Sequence, residues 1–125
     1  MKPSSIPAGY QQIMPYLIIK NAGTFMQFMK TVFDATEKMV AMRDEHIIMH
    51  GELTIGDCCI MFADATDDFS QQTAGMFIYV DDCDARYQKA VENGATAIMP
   101  PANQQYGRSA GIKDLSGNTW WITTA

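Results

Sequence analysis

The spacing of apolar residues along the chain switches between two periods, and the order of the switches repeats. Residues 12–20 read as an extended, mostly apolar strand with Pro15 inside it, which predicts an edge strand or a strand end, where a missing donor costs least. The period then lengthens. Phe25, Phe28, Met29, Val32 and Phe33 follow i, i+3, i+4, i+7 and i+8, one wide apolar stripe that predicts a helix over 23–34 covering the back of a sheet. Asp34 falls just past that helix, where a short polar residue tolerates left-handed geometry. Residues 38–43, 47–55 and 58–63 follow as three strands, turning at Asp44-Glu45 and at Gly56-Asp57.

After a polar stretch over 64–73, expected as a surface loop, the same order returns. Residues 75–80 form a strand pattern. Asp81, Asp82 and Asp84 suit the free amides and positive dipole end of a helix over 83–93, which Asn93-Gly94 closes. A short strand over 96–99 is expected to stop at Pro100-Pro101, and 103–107 to form a polar loop. A last hairpin turns at Gly117-Asn118 and runs through Trp120-Trp121-Ile122. Gly56 and Gly117 lie 61 positions apart, and shifting residues 14–19 by the same interval lands on 75–80. A fixed internal period marks a duplicated unit. The expected fold is α+β, one domain over 1–125 built from two β-α-β-β-β modules, about 11–63 and about 74–125, with a ferredoxin-like α+β sandwich as the competing architecture. Half-chains of about 60 residues are marginal alone, so the halves, or two copies of the chain, should bury surface on each other.

Charge narrows the partners. Nine basic against 14 acidic residues give a net charge of −5, which supplies no basic patch for nucleic acid. Residues 1–7 have no apolar signal-like core and no run approaches a bilayer span, so the expected setting is cytoplasmic, without a membrane partner. Three cysteines, two adjacent at Cys58-Cys59, cannot pair as a framework and read as reduced core residues. Ten methionines suit adaptable packing or binding surfaces.

Candidate chemistry is sparse. On a strand, His46 and His50 would stand about 13 Å apart, too far to share a metal within one chain. His50 and Glu52 share one strand face, opposite Met49, Gly51, Leu53 and Ile55, and are the candidate catalytic pair for acid–base work. The same pair would also suit cross-strand hydrogen bonding or a subunit interface. No Ser–His–Asp constellation or Gly-rich phosphate loop is present, and the acidic trio reads as a helix start rather than a calcium loop.

Several stretches together resemble the vicinal oxygen chelate superfamily (glyoxalase I, bleomycin-resistance proteins, extradiol dioxygenases), and within it the PhnB-like branch. They are Met14-Pro15-Tyr16-Leu17, residues 28–35, His50-Gly51-Glu52-Leu53-Thr54-Ile55-Gly56-Asp57, Tyr79-Val80-Asp81-Asp82, Asn93-Gly94-Ala95, Gln105-Tyr106-Gly107 and residues 113–120. The resemblance implies a curved mixed sheet with helices on the convex side, a ligand cavity on the concave side, and a homodimer. Glyoxalase I binds a divalent metal through four side chains, and by motif those positions fall here on Met14, on Ile60 or Met61, on Gly75 and on Trp121. None is a metal ligand, so no metal or other cofactor is expected. Met14, Tyr16, Phe77, Tyr79 and Trp121 then make an adaptable apolar cavity, with His50, Glu52, Gln104 and Gln105 as its polar groups. The expected function is binding of an apolar or aromatic small molecule. A metal-dependent lyase or dioxygenase of the glyoxalase type, and an interaction module whose cavity Trp121 plugs, are the alternatives, so whether a reaction is catalysed stays open.

Overall fold

The computed structural model describes residues 1–125. Module one comprises β1 (Tyr16–Ile19), α1 (Ala22–Phe33), β2 (Thr36–Met42), β3 (Ile48–Ile55) and β4 (Cys58–Asp64). Module two comprises β5 (Gly75–Tyr79), α2 (Cys83–Glu92), β6 (Thr96–Gln104), β7 (Gly107–Lys113) and β8 (Thr119–Thr124). The element order is β-α-β-β-β twice, not the β-α-β-β-α-β of a ferredoxin-like fold. Each module forms a four-stranded mixed sheet, β1-β4-β3-β2 and β5-β8-β7-β6, in which only the first and last strands run parallel. The 61-residue period therefore corresponds to one topology used twice. In place of one continuous sheet there are two, with no ladder joining them.

One core serves both modules. The predicted stripe of α1 is buried along its whole length, from Phe25 to Phe33, against Leu17, Ile19, Leu53, Ile60 and Phe62 of the first sheet. The same cluster continues into Ala110, Ile112, Trp120 and Ile122 of the second. Phe25 meets Phe62 edge-on at 5.3 Å, and Phe33 meets Trp120 across the module boundary at 5.1 Å. Gly51 lets the Phe62 ring lie across β3, because a Cβ at that position would collide with it.

Helix ends follow the local chemistry, with one exchange of partners. Asn21 is left-handed and gives no side-chain cap to α1; the Ala22 amide instead donates to Asp64 Oδ1 at 2.9 Å. Asp64 Oδ2 accepts from the Ile48 amide at 2.7 Å. Asp64, expected in a surface loop, is thus the last residue of β4 and ties β3 to α1. Asp34 takes the left-handed position after α1 as expected, at φ 54°. Asp82 caps α2 by accepting from the Ala85 amide. Arg86 on α2 pairs with Asp81 and Asp34 and donates to the Val32 carbonyl, which clasps the two modules together.

Two strand boundaries differ from the sequence reading. The first strand starts at Tyr16 rather than 12, so Pro15 lies just outside it and its carbonyl accepts from the Met61 amide at 3.0 Å. Ahead of it, the Gln11 side chain pairs with both the amide and the carbonyl of Cys59, supplying bonds a longer strand would have made. Pro100-Pro101 do not stop β6. The strand is at a sheet edge, and its register shifts on either side of Met99 leave the two prolines out of the ladder, where their missing N–H groups cost nothing. His46 lies in the turn before β3, where Asp44 Oδ1 accepts from its amide. All three cysteines are free, with Cys58 exposed and Cys59 and Cys83 buried.

Candidate functional site

Strand alternation sorts each sheet into a face against the helices and a face away from them. In β3, Leu53 faces α1 while His50 and Glu52 point the other way, beside Tyr16 of β1 and Met61 of β4. There the side chains form a hydrogen-bonded line. Tyr16 OH lies 3.0 Å from His50 Nδ1, His50 Nε2 lies 2.7 Å from Glu52 Oε2, and Tyr10 OH donates to Glu52 Oε1 at 2.6 Å. Glu52 is only 4% exposed, and Lys38 Nζ stands 4.7 Å over the Tyr10 ring. Burial pushes the Glu52 carboxyl up, but the hydrogen bonds from Tyr10 and His50 outweigh it and hold the group below its usual range. The same carboxylate pushes the Tyr10 phenol up. With Glu52 ionised, His50 Nε2–H donates to it, and Nδ1 is left to accept the Tyr16 hydroxyl proton. Tyr10 went unnoticed in the sequence because it belongs to a polar, proline-punctuated lead-in with no periodicity.

The corresponding face of module two is aromatic. Phe77 stands opposite Trp121 in the β5–β8 register, and packs against Tyr79 at 5.2 Å and Tyr106 at 6.1 Å. Trp121 is 37% exposed on this face, over Gly111, where a side chain would strike the indole. Its neighbour Trp120 is 2% exposed on the helix side and donates from Nε1 to Asp114 Oδ2 at 2.8 Å. Asp114 Oδ1 also accepts from the Ser116 and Asn118 amides, so one buried carboxylate builds the β7–β8 turn and seats Trp120.

The expected single cavity is divided. Met14 lines a cavity of about 540 Å³ with Tyr10, Glu52 and Met61 under the N-terminal segment. Tyr16 lines another of about 450 Å³, and Phe77 and Tyr79 a third of about 500 Å³ beside Ile55 and Cys58–Ile60. Trp121 lies outside all of them on the open face. Gln104 ends β6 and Gln105 occupies the following turn; both are exposed and line none of these cavities. Of the positions where glyoxalase I holds its metal, Met14, Met61, Gly75 and Trp121 offer thioether, hydrogen and indole, and Ile60 is buried on the helix side. No three His, Cys, Asp or Glu side chains converge within the chain. The residues present do not fit a divalent ion.

Solved structures share this fold. TioX from Micromonospora sp. ML1 superposes with a TM-score of 0.76 at 17% identity, over 91% of this chain and 98% of that one. The PhnB protein from Bacillus cereus gives 0.72 at 18% identity, over 92% and 100%. The fosfomycin resistance protein FosX from Mesorhizobium loti gives 0.68 at 19%, over 92% of each. An uncharacterized protein of Mycobacterium tuberculosis, Rv0887c, is 25% identical over 86% of this chain and 71% of its own length. A family model, Glyoxalase/Bleomycin resistance protein/Dioxygenase superfamily, matches residues 10–122, and with both modules present in order the chain belongs to that superfamily, the vicinal oxygen chelate group with its PhnB-like members.

Proposed function

We propose that this chain is a small-molecule-binding protein of the glyoxalase and bleomycin-resistance type that works without the usual metal, as a homodimer, and holds a flat apolar or aromatic compound against the aromatic face of module two. The observation that carries this reading is the exposure of Phe77, Tyr79 and Trp121 together on one sheet face, at 50%, 67% and 37%. Contiguous exposed aromatic surface marks a binding site, and rings of this kind take planar ligands by stacking. A second copy seated over the open face would turn it into an enclosed pocket, which favours the dimer. Three free thiols suit a reducing compartment, the cytoplasm.

Titration with a panel of fused-ring aromatic compounds, followed by tryptophan fluorescence, tests the site. Trp121→Ala should weaken binding about tenfold or more while the protein stays folded, and unchanged affinity would overturn the assignment. Light scattering should return twice the 13.9 kDa chain mass. A stoichiometric divalent metal in protein purified without chelator would refute the metal-free part of the reading.

A further inference from the structure

The polar line on module one ends in a cavity of its own. Tyr16, whose hydroxyl meets His50, lines the space of about 450 Å³ with Ile18, Met49, Phe69, Gln72 and Arg43. Its walls mix apolar and aromatic side chains with the polar Arg43, Asp64, Thr66 and Gln72, and its volume suits a ligand of one or two rings. Arg43 is the one cation lining it. The ion pairs of the chain engage Lys30, His50, Arg86 and Arg108 and do not include Arg43, whose charge acts on neighbouring Asp44 without a direct pair. Asp64, the carboxylate lining the cavity, has its two oxygens turned to the Ala22 and Ile48 amides.

We propose that this cavity is a second binding site, independent of the aromatic face of module two, that takes a small aromatic compound bearing a weakly acidic hydroxyl and binds it as its anion, with Tyr16 passing the ligand's proton to His50. In the neutral His50 ring the hydrogen-bond directions set this sense of transfer. Glu52 is committed as an acceptor to Tyr10 and His50, so His50 Nε2 carries a proton and Nδ1 has the free lone pair. Tyr16 points its own proton at that nitrogen and leaves its oxygen to accept from a ligand hydroxyl. On ionisation the ligand O–H breaks and its proton joins the Tyr16 oxygen, while the Tyr16 proton moves to His50 Nδ1. The ligand becomes a phenolate beside Arg43. His50 becomes an imidazolium against the Glu52 carboxylate, and no electron leaves either partner. Tyr10, Lys38 and Cys59 are the other titratable groups around Glu52; Tyr10 holds it, Lys38 favours its charge, and Cys59 is a buried thiol pushed upward.

The test uses para-nitrophenol, whose anion has its own visible absorbance, and its uncharged analogue para-nitroanisole. Bound to the wild-type protein, para-nitrophenol should ionise about one pH unit lower than in water, a tenfold gain of anion over neutral form. His50→Gln keeps a donor for Glu52 but removes the proton acceptor, and Tyr16→Phe breaks the transfer. Both should abolish the shift and leave para-nitroanisole affinity within twofold. Arg43→Gln should weaken para-nitrophenol binding about tenfold at a pH where it is ionised, with little effect on para-nitroanisole. Absence of binding at millimolar probe, ionisation as in water, or a shift that survives His50→Gln would overturn the proposal. So would a shift lost with Trp121→Ala, which would place the probe on module two. A wild-type protein that binds para-nitroanisole but leaves para-nitrophenol un-ionised would sink this proposal alone, since the aromatic-face reading stands on Trp121.

Discussion

The two modules share a topology, a strand order and a common core, yet their outward sheet faces have diverged completely. Module one carries hydrogen-bonded Tyr10, Glu52, His50 and Tyr16, with the N-terminal segment lying over Glu52. Module two carries Phe77, Tyr79, Tyr106 and Trp121, open to solvent. The helix-facing sides are alike because both must fill one interior, where loss of packing is costly. The outward sides are free of that demand, so they are where the repeat acquired different chemistry.

Substitutions at paired positions test this division, and the tryptophans give the largest effect. Trp120→Ala empties a buried site and strands Asp114, and should cost about 3–5 kcal/mol in urea unfolding. Trp121→Ala should cost less, about 2 kcal/mol, because over a third of the residue is already exposed. Equal costs would break the comparison and make Trp121 a plug. The glycines sharpen the same point at smaller scale. Gly51→Ala drives a methyl group into the fully buried Phe62 and should cost about 1–3 kcal/mol, whereas Trp121 over Gly111→Ala can turn outward, for less than about 1 kcal/mol and a changed fluorescence.

Much of this was readable from the residues, and the failures have physical causes. The α1 stripe, the acidic start of α2 and the internal period were legible because each is a local rule applied over consecutive residues. Alternation says only that Trp120 and Trp121 point to opposite faces; the resemblance supplied the choice of Trp121 for the face away from the helices. Pro100-Pro101 misled because a proline stops a strand only where its N–H is needed, and edge position is a tertiary fact. Tyr10 and Asp64 were invisible for a related reason: their partners, Glu52 at one end and the Ala22 and Ile48 amides at the other, are brought to them only by folding. The single cavity expected from the resemblance divided because nothing local says whether two sheets join into one.

Acidification should weaken both modules. Glu52 has its folded pKa lowered, so it contributes stability above its unfolded value near 4.5 that is lost as pH falls through the folded value. Asp34, Asp81 and Asp84, lowered by arginine partners, act in the same direction. Glu52→Gln should therefore be less stable than wild type at neutral pH, with the gap narrowing as the pH drops below that range; a gap independent of pH would show that the carboxylate is not ionised in the fold. The smallest effect belongs to the exposed Arg108–Asp84 pair at the rim of module two. Arg108→Ala should leave the unfolding midpoint within error in moderate salt.

The segment between the modules has a consequence for how two chains can meet. After β4 it turns back along β1, where Gln72 and Ile18 exchange both backbone hydrogen bonds at 2.8 and 3.2 Å. Tandem halves on a slack tether can trade places between neighbouring molecules, and a bare outer strand can recruit a foreign one. Here the tether is stitched to the first half and occupies the border it would otherwise leave exposed. An incoming strand would have to displace this bridge at Ile18 before it could pair along β1.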